Sequence, residues 1–217
     1  MALLDLQDIG FAYPGQPPVL RGASLQLRAG ERLAISGDNG AGKSTLLRLI
    51  VGLLRPTRGT VTAFGRPRLH ERDFHEVRRR AGYVFQDPDD QLFCPTVAED
   101  IAFGPLNLGL GRAQASEIVT RVLDQLGIAP LRARITHHLS GGEKRLVSLA
   151  CVLAMEPDIL LLDEPTNALD TTNVERLTEI LQGLPQAIVL VTHDPQFRAQ
   201  IAPGGLRIED GRLIDAP

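Results

Sequence analysis

The chain has 217 residues, of which 43% are hydrophobic and 23% charged, with a formal net charge of −3. This is the composition of a globular protein with one large or two small domains, and it excludes a strongly basic nucleic-acid binder. With no Trp and 4% aromatic residues, a base-stacking platform is excluded too, and the core must rest on Leu, Ile, Val and Ala. Residues 3–35 read as short strands, with turns at Pro14-Gly15 and Ala29-Gly30 and a period of two over 24–28. Residues 33–36 form a short apolar strand that enters a glycine loop. A helix is expected over 43–53, stopped by the segment around Pro56, followed by a strand at 60–64. Residues 66–134 read as a mainly helical insertion. It contains a strand at 83–85, a Pro- and Asp-rich loop, and a helix over 112–126 with apolar Ile118, Val119, Val122, Leu123 and Leu126. The last third alternates: helix 141–155, strand 158–162, helix 172–181, strand 187–192, helix 195–201, then a hairpin turning at Asp210-Gly211. Strands with continuous apolar runs are those covered on both faces, so the sheet is expected to be largely parallel with helices on both sides.

No run of about 18 apolar residues occurs, so no membrane span is expected. The first five residues lack the basic region of a signal peptide. Cys94 and Cys151 stand far apart in no metal spacing and are expected to stay reduced in the cytosol.

Residues 37–44, Gly-Asp-Asn-Gly-Ala-Gly-Lys-Ser, fit the phosphate-loop pattern G-x-x-x-x-G-K-[ST], between an expected strand and an expected helix. Glycines let the backbone wrap a phosphate with its N–H groups pointing inward, and the adjoining helix adds its positive end. Asn39, Gly40, Ala41, Gly42, Lys43, Ser44 and Thr45 are therefore the candidate nucleotide-binding residues. Lys43 is expected to reach the β- and γ-phosphates, and Ser44 to place its hydroxyl on Mg²⁺. Asp163-Glu164 ends an apolar strand, the edge where α/β sheets bind ligands. Asp163 is expected to hold Mg²⁺ through water and Glu164 to orient the attacking water. The competing reading is a strand-ending turn before Pro165. His193 ends the next apolar strand. It is read either as structural or as a hydrogen-bonding partner of the γ-phosphate or attacking water.

Leu139-Ser140-Gly141-Gly142-Glu143-Lys144-Arg145 resembles the signature motif of ABC-type ATPases, and the likeness runs from Leu3 to Ile214. The resemblance implies an α/β fold: a P-loop NTPase core with a mainly parallel sheet, an N-terminal antiparallel β subdomain and a helical subdomain. It implies one nucleotide-binding domain, with a core of about 1–86 and 141–217 and a helical part of about 87–140. It further implies that Gln86 is the Q-loop glutamine sensing Mg²⁺, Asp170 the D-loop aspartate, His193 the switch histidine and Tyr13 the aromatic on adenine. ATP would be sandwiched between two such domains, with Ser140, Gly141, Gly142 and Glu143 reaching the γ-phosphate across the dimer. Ser140 with Glu143 is also a capping box, and both readings can hold together.

A narrower likeness rests on residues 83–93, on Pro95-Thr96-Val97 and on Ala102-Phe103-Gly104-Pro105. These resemble the ATPases of energy-coupling-factor importers, which take up vitamins or metals such as cobalt and nickel. The resemblance implies a peripheral subunit on the cytoplasmic face of the membrane, paired with itself or a sibling. An integral membrane partner would dock between Gln86 and Phe93, with no direct contact to nucleic acid. The acidic residues Asp87, Asp89 and Asp90 are read equally as a docking feature and as a solvated turn cluster. His137-His138 is read as a surface pair, because adjacent histidines diverge. A soluble ABC ATPase acting on nucleic acid or another macromolecule is the alternative function, and a phosphate-loop kinase the third.

Overall fold

The computed structural model describes residues 2–216, which divide into two compact units. The first holds the N-terminal segment through Tyr83, then Asp158–Glu164, then the segment from Pro185. Its antiparallel layer begins with β1 (Ala2–Ala12) and β2 (Pro18–Arg28), joined by a turn at Gly15. In β2, Ala23, Leu25 and Leu27 face the core with a period of two, and a register shift between Arg21 and Ala23 lets Leu20 face it as well. On the other side of β1 lie β4 (Arg58–Ala63) and the edge strand β5 (Arg66–Pro67), giving the order β2-β1-β4-β5.

The second sheet runs β10-β9-β3-β8-β7-β6. Here β3 is Arg32–Ser36, β6 Ala81–Val84, β7 Ile159–Asp163, β8 Ala187–Val191, β9 Gly204–Glu209 and β10 Arg212–Ala216. Strand β3 pairs parallel with β8 and β9, and β8 pairs parallel with β7. All residues of β7 and β8 are buried, which explains their unbroken apolar runs. β9 and β10 form the expected hairpin, with Asp210 at φ 49° and Gly211 at φ 75°, the paired left-handed residues of a tight hairpin turn. The expected fold class is borne out: an antiparallel layer, a mainly parallel sheet and a set of helices.

Helix α1 (Lys43–Ile50) ends three residues earlier than expected. Pro56 does not stop it; Gly52 does. Gly52 takes φ 71°, its N–H bonds Leu49 O at 3.2 Å, and Leu53 N–H bonds Arg48 O at 2.9 Å. That pair of bonds is the Schellman ending, which a glycine in the left-handed conformation permits. A Cβ at 52 would also run into the Phe74 ring.

Helix α2 (Glu71–Arg80) escapes the hydrophobic pattern because only Phe74 and Val77 are buried. Charged partners hold it instead. Asp73 accepts the N–H groups of Leu69 and His70. Arg80 pairs with Asp158 at 2.7 Å and lies over the Phe64 ring at 3.8 Å. The strand expected over 83–85 is β6 at Ala81–Val84. Helix α7 (Pro195–Ile201) matches the expected span and is capped by Asp194.

The second unit holds 84–157 and 165–184, with α3 (Val97–Asn107), α4 (Arg112–Gln125), α5 (Gly141–Leu153) and α6 (Thr171–Gln182). Helix α3 packs on both α4 and α5, with Gly104 against Met155. Buried Asp100 ties the surrounding loops: it accepts from Phe93 N–H, Cys94 N–H and the Thr136 hydroxyl. Among the described residues no helix is long and apolar enough to cross a membrane.

Candidate functional site

In the first unit, β3 delivers the chain into the glycine loop, and Gly42 sits at the N-cap of α1 with φ 107°. A Cβ there would lie 2.6 Å from Val19 Cγ1, so conformation and space both demand glycine. Lys43 is 8% exposed. Its Nζ folds back to donate to Gly37 O at 2.8 Å and Asp38 O at 3.0 Å. The ammonium thus spans the loop through two of its carbonyls. Asn39 and Gly40 are exposed on its rim.

β7 carries Asp163 to the same place. Ser44 Oγ donates to Asp163 Oδ1 at 3.0 Å, although 119 residues separate them. Tyr83 Oη, on β6, donates to Asp163 Oδ2 at 2.8 Å. Sequence reasoning does not place Tyr83 in the site. The one signal available is a phenol in a short, otherwise apolar strand.

Glu164 comes immediately after β7. It is 5% exposed and takes φ 49°, a conformation that costs a non-glycine residue on the order of 1–3 kcal/mol. Its N–H is fixed on Val191 O at 2.9 Å, at the end of β8. His193 N–H donates to Glu164 Oε2 at 3.2 Å, and His193 Nε2 lies 3.3 Å from Oε1. The approach makes no hydrogen bond, and Oε1 is buried without a hydrogen-bond partner. A buried carboxylate oxygen without a donor, on a strained residue, is an acceptor held ready for something not supplied by the chain. Tyr13 lies alongside, its hydroxyl 3.1 Å from Thr45 Oγ1 and its ring edge-on to Phe11.

Thus the first unit brings together Tyr13, residues 39–45, Asp163, Glu164 and His193. The remaining candidates lie in the second unit. Ser140 caps α5: its Oγ accepts Glu143 N–H at 3.3 Å, and its own N–H donates to Glu143 Oε2 at 2.8 Å. That N–H holds the Glu143 carboxyl below its ordinary range. Gly142 lies under Asn173, whereas a Cβ at Gly141 would meet nothing within 4 Å. Asp170 caps α6 through Asn173 N–H at 2.8 Å. Gln86 is exposed, and its carbonyl accepts from the buried Arg145 at 2.8 Å, as does Phe85 O. His137 and His138 lie exposed on a short 3₁₀ turn.

Comparison with known proteins gives the family. A family model described as ABC transporter matches residues 20–167. A protein of Brucella suis biovar 1, provisionally named an ABC transporter ATP-binding protein, is 53% identical over 99% of this chain and 89% of its own length. The energy-coupling factor transporter ATP-binding protein EcfA of Methanoculleus marisnigri is 44% identical over 99% of this chain and 78% of its own. Among solved structures, cbiO1 from Clostridium perfringens, described as part of the ABC transporter complex cbiONQ, aligns with a TM-score of 0.88 at 34% identity. That alignment covers 98% of this chain and 87% of that one. A phosphate loop backed by a buried Asp-Glu pair, on this fold and with these relatives, makes the chain a member of the ABC transporter family, among its ATP-hydrolysing, ATP-binding proteins.

Proposed function

We propose that the chain powers an importer of the energy-coupling-factor type, working as a pair of ATPases that closes on ATP and reopens after hydrolysis. The observation that carries the catalytic half is Glu164 Oε1, buried and without a donor at the end of β7. It is the acceptor that a water needs in order to be aligned and stripped of its proton beside a bound γ-phosphate. His193, on the neighbouring strand end, completes the pocket for that water.

The donor set beside it fits Mg²⁺: a hydroxyl and a carboxylate, both hard oxygen ligands. We assign Ser44 and Asp163 to the ion, Asp163 through water, and Gln86 as a further contact. Bound there, Mg²⁺ neutralises charge on the β- and γ-phosphates. Lys43 exchanges its two loop carbonyls for phosphate oxygens, and the amides of 39–45 cradle the rest. Tyr13 receives the adenine. Ser140, Gly141, Gly142 and Glu143 serve the ATP of the opposite protomer, whether a second copy or a sibling, and Asp170 lies at the same contact. The open space at Gly141 supports that reading.

Residues of about 87–140 are assigned to the helical part that meets an integral membrane subunit, docking from Gln86 to Phe93. Support comes from Phe93, 60% exposed, with its ring packed edge-on to Phe103 at 4.7 Å. Beside Phe103 lies a groove of about 480 Å³, lined by Pro95, Ala98, Ala102, Leu106 and Val119. The protein then works at the cytoplasmic face of the membrane, and the resemblance of residues 83–93 to the ATPases of energy-coupling-factor importers points to a transition metal ion or a vitamin as its cargo. The test is purification of the tagged protein from detergent-solubilised native membranes, with mass spectrometry of the molecules that co-purify. An integral membrane partner sustains the transport reading. Nucleic acid or a soluble complex in its place overturns that half in favour of a soluble ABC ATPase.

A further inference from the structure

Asp163 is 1% exposed and engaged at both oxygens, by Ser44 on one side and Tyr83 on the other. The two bonds differ in kind. Ser44 stands at the second position of α1, at the mouth of the phosphate loop, where a ligand can compete with Asp163 for its hydroxyl. Tyr83 is 8% exposed, on the strand next to β7, with its ring fixed in the core. Its hydroxyl is the one polar side-chain group that β6 carries, since the strand reads Ala-Gly-Tyr-Val. A phenylalanine would fill the same volume, so packing alone does not account for the hydroxyl.

A carboxylate pinned at one oxygen has lost its freedom to swing. Once the Ser44 hydroxyl turns away, a buried Asp163 with no other donor would reorient to recover a hydrogen bond. We infer that Tyr83 is a positioning residue: its hydroxyl holds Asp163 Oδ2, so that Oδ1 stays directed to the Ser44 side when Ser44 is engaged elsewhere. This rests on the proposed role of Ser44 and Asp163 in holding the divalent cation. Partners that orient a metal-binding side chain are commonly worth tenfold or more in metal affinity, through orientation alone.

The test uses Tyr83→Phe in the full chain, with Mn²⁺ as probe, titrated in the presence of ADP and followed by electron paramagnetic resonance. Mn²⁺ affinity is expected to fall about tenfold, while ADP affinity measured in EDTA stays that of the unaltered protein. Asp163→Asn separates this inference from the cation assignment beneath it. If Asp163→Asn still binds Mn²⁺ with ADP at normal affinity, the cation assignment itself is wrong. If Asp163→Asn loses the ion and Tyr83→Phe does not weaken it, the cation assignment stands and the role of Tyr83 is overturned. Equal losses with and without metal in Tyr83→Phe make the hydroxyl a packing element and overturn the role as well.

Discussion

Around the phosphate loop, the polar side chains answer one another. Lys43 takes two loop carbonyls, and the hydroxyls of Ser44 and Tyr83 take both oxygens of Asp163. At the N-terminus of α5 the motif residues are used differently. Ser140 and Glu143 close only their own helix end, and Gly141 borders open space. The first region is a site assembled in advance, with Glu164 Oε1 left as an unanswered acceptor. The second is a capped helix end in which Asn173 keeps Gly142 small, whereas Gly141 has no steric reason within its own unit. The first should therefore fail when a functional group is removed, and the second when bulk is added.

Glu164→Gln gives the largest expected effect. It keeps the size of the side chain and the bond from His193 N–H, and removes the proton acceptor. Single-turnover ATP hydrolysis should slow by about 10²–10⁴-fold, with ATP still bound. A normal rate would remove Glu164 from the chemistry and leave its strained backbone unexplained. Lys43→Ala comes next. It takes a buried cation out of the loop, and calorimetric ATP affinity should drop by at least roughly 30-fold. Affinity close to normal would mean that Lys43 only braces the loop carbonyls.

These two residues are legible in the sequence because their chemistry is bound to local spacing. A phosphate loop is eight consecutive residues, and Asp163-Glu164 comes directly after one apolar strand. Tyr83 is not legible, since its partner lies 80 positions away and only the adjacency of β6 and β7 brings them together. Helix α2 is hidden for a related reason: only Phe74 and Val77 mark its buried face, and the partners of Arg80 at its end, Asp158 and Phe64, lie outside its own sequence. The end of α1 is misplaced by sequence reasoning because proline is a stronger signal than glycine, yet the Gly52 turn comes first along the chain. Where local pattern and burial coincide, as in β7 and β8, sequence and structure agree to within a residue.

The second half of the comparison is sharpened by Gly141→Ala. Alanine is the better helix former, by about 0.5–1 kcal/mol, and its Cβ meets nothing in the chain. Thermal stability should therefore hold or rise slightly. If another protomer approaches this surface, the added methyl overfills the contact, and steady-state ATP turnover should fall on the order of tenfold. Undiminished turnover would mean that nothing comes close to Gly141, and the open space there would carry no meaning.

The smallest effect concerns the cap itself. The Ser140 N–H holds the Glu143 carboxyl below its ordinary range. A folded pKa below the unfolded one places the stabilisation above the ordinary glutamate value of about 4.3, and it is lost as pH falls through the lower folded value. Unfolding midpoints of the unaltered protein and Glu143→Ala should therefore differ near neutrality and converge on acidification. The bond is exposed to solvent, which screens it, so the difference should be only roughly 1 °C in a chain of this size. A difference that persists in acid would come from side-chain packing rather than from the carboxylate on the Ser140 N–H. The end of α5 would then be closed by the Ser140 hydroxyl on the residue-143 N–H alone, with the carboxylate adding nothing to the cap.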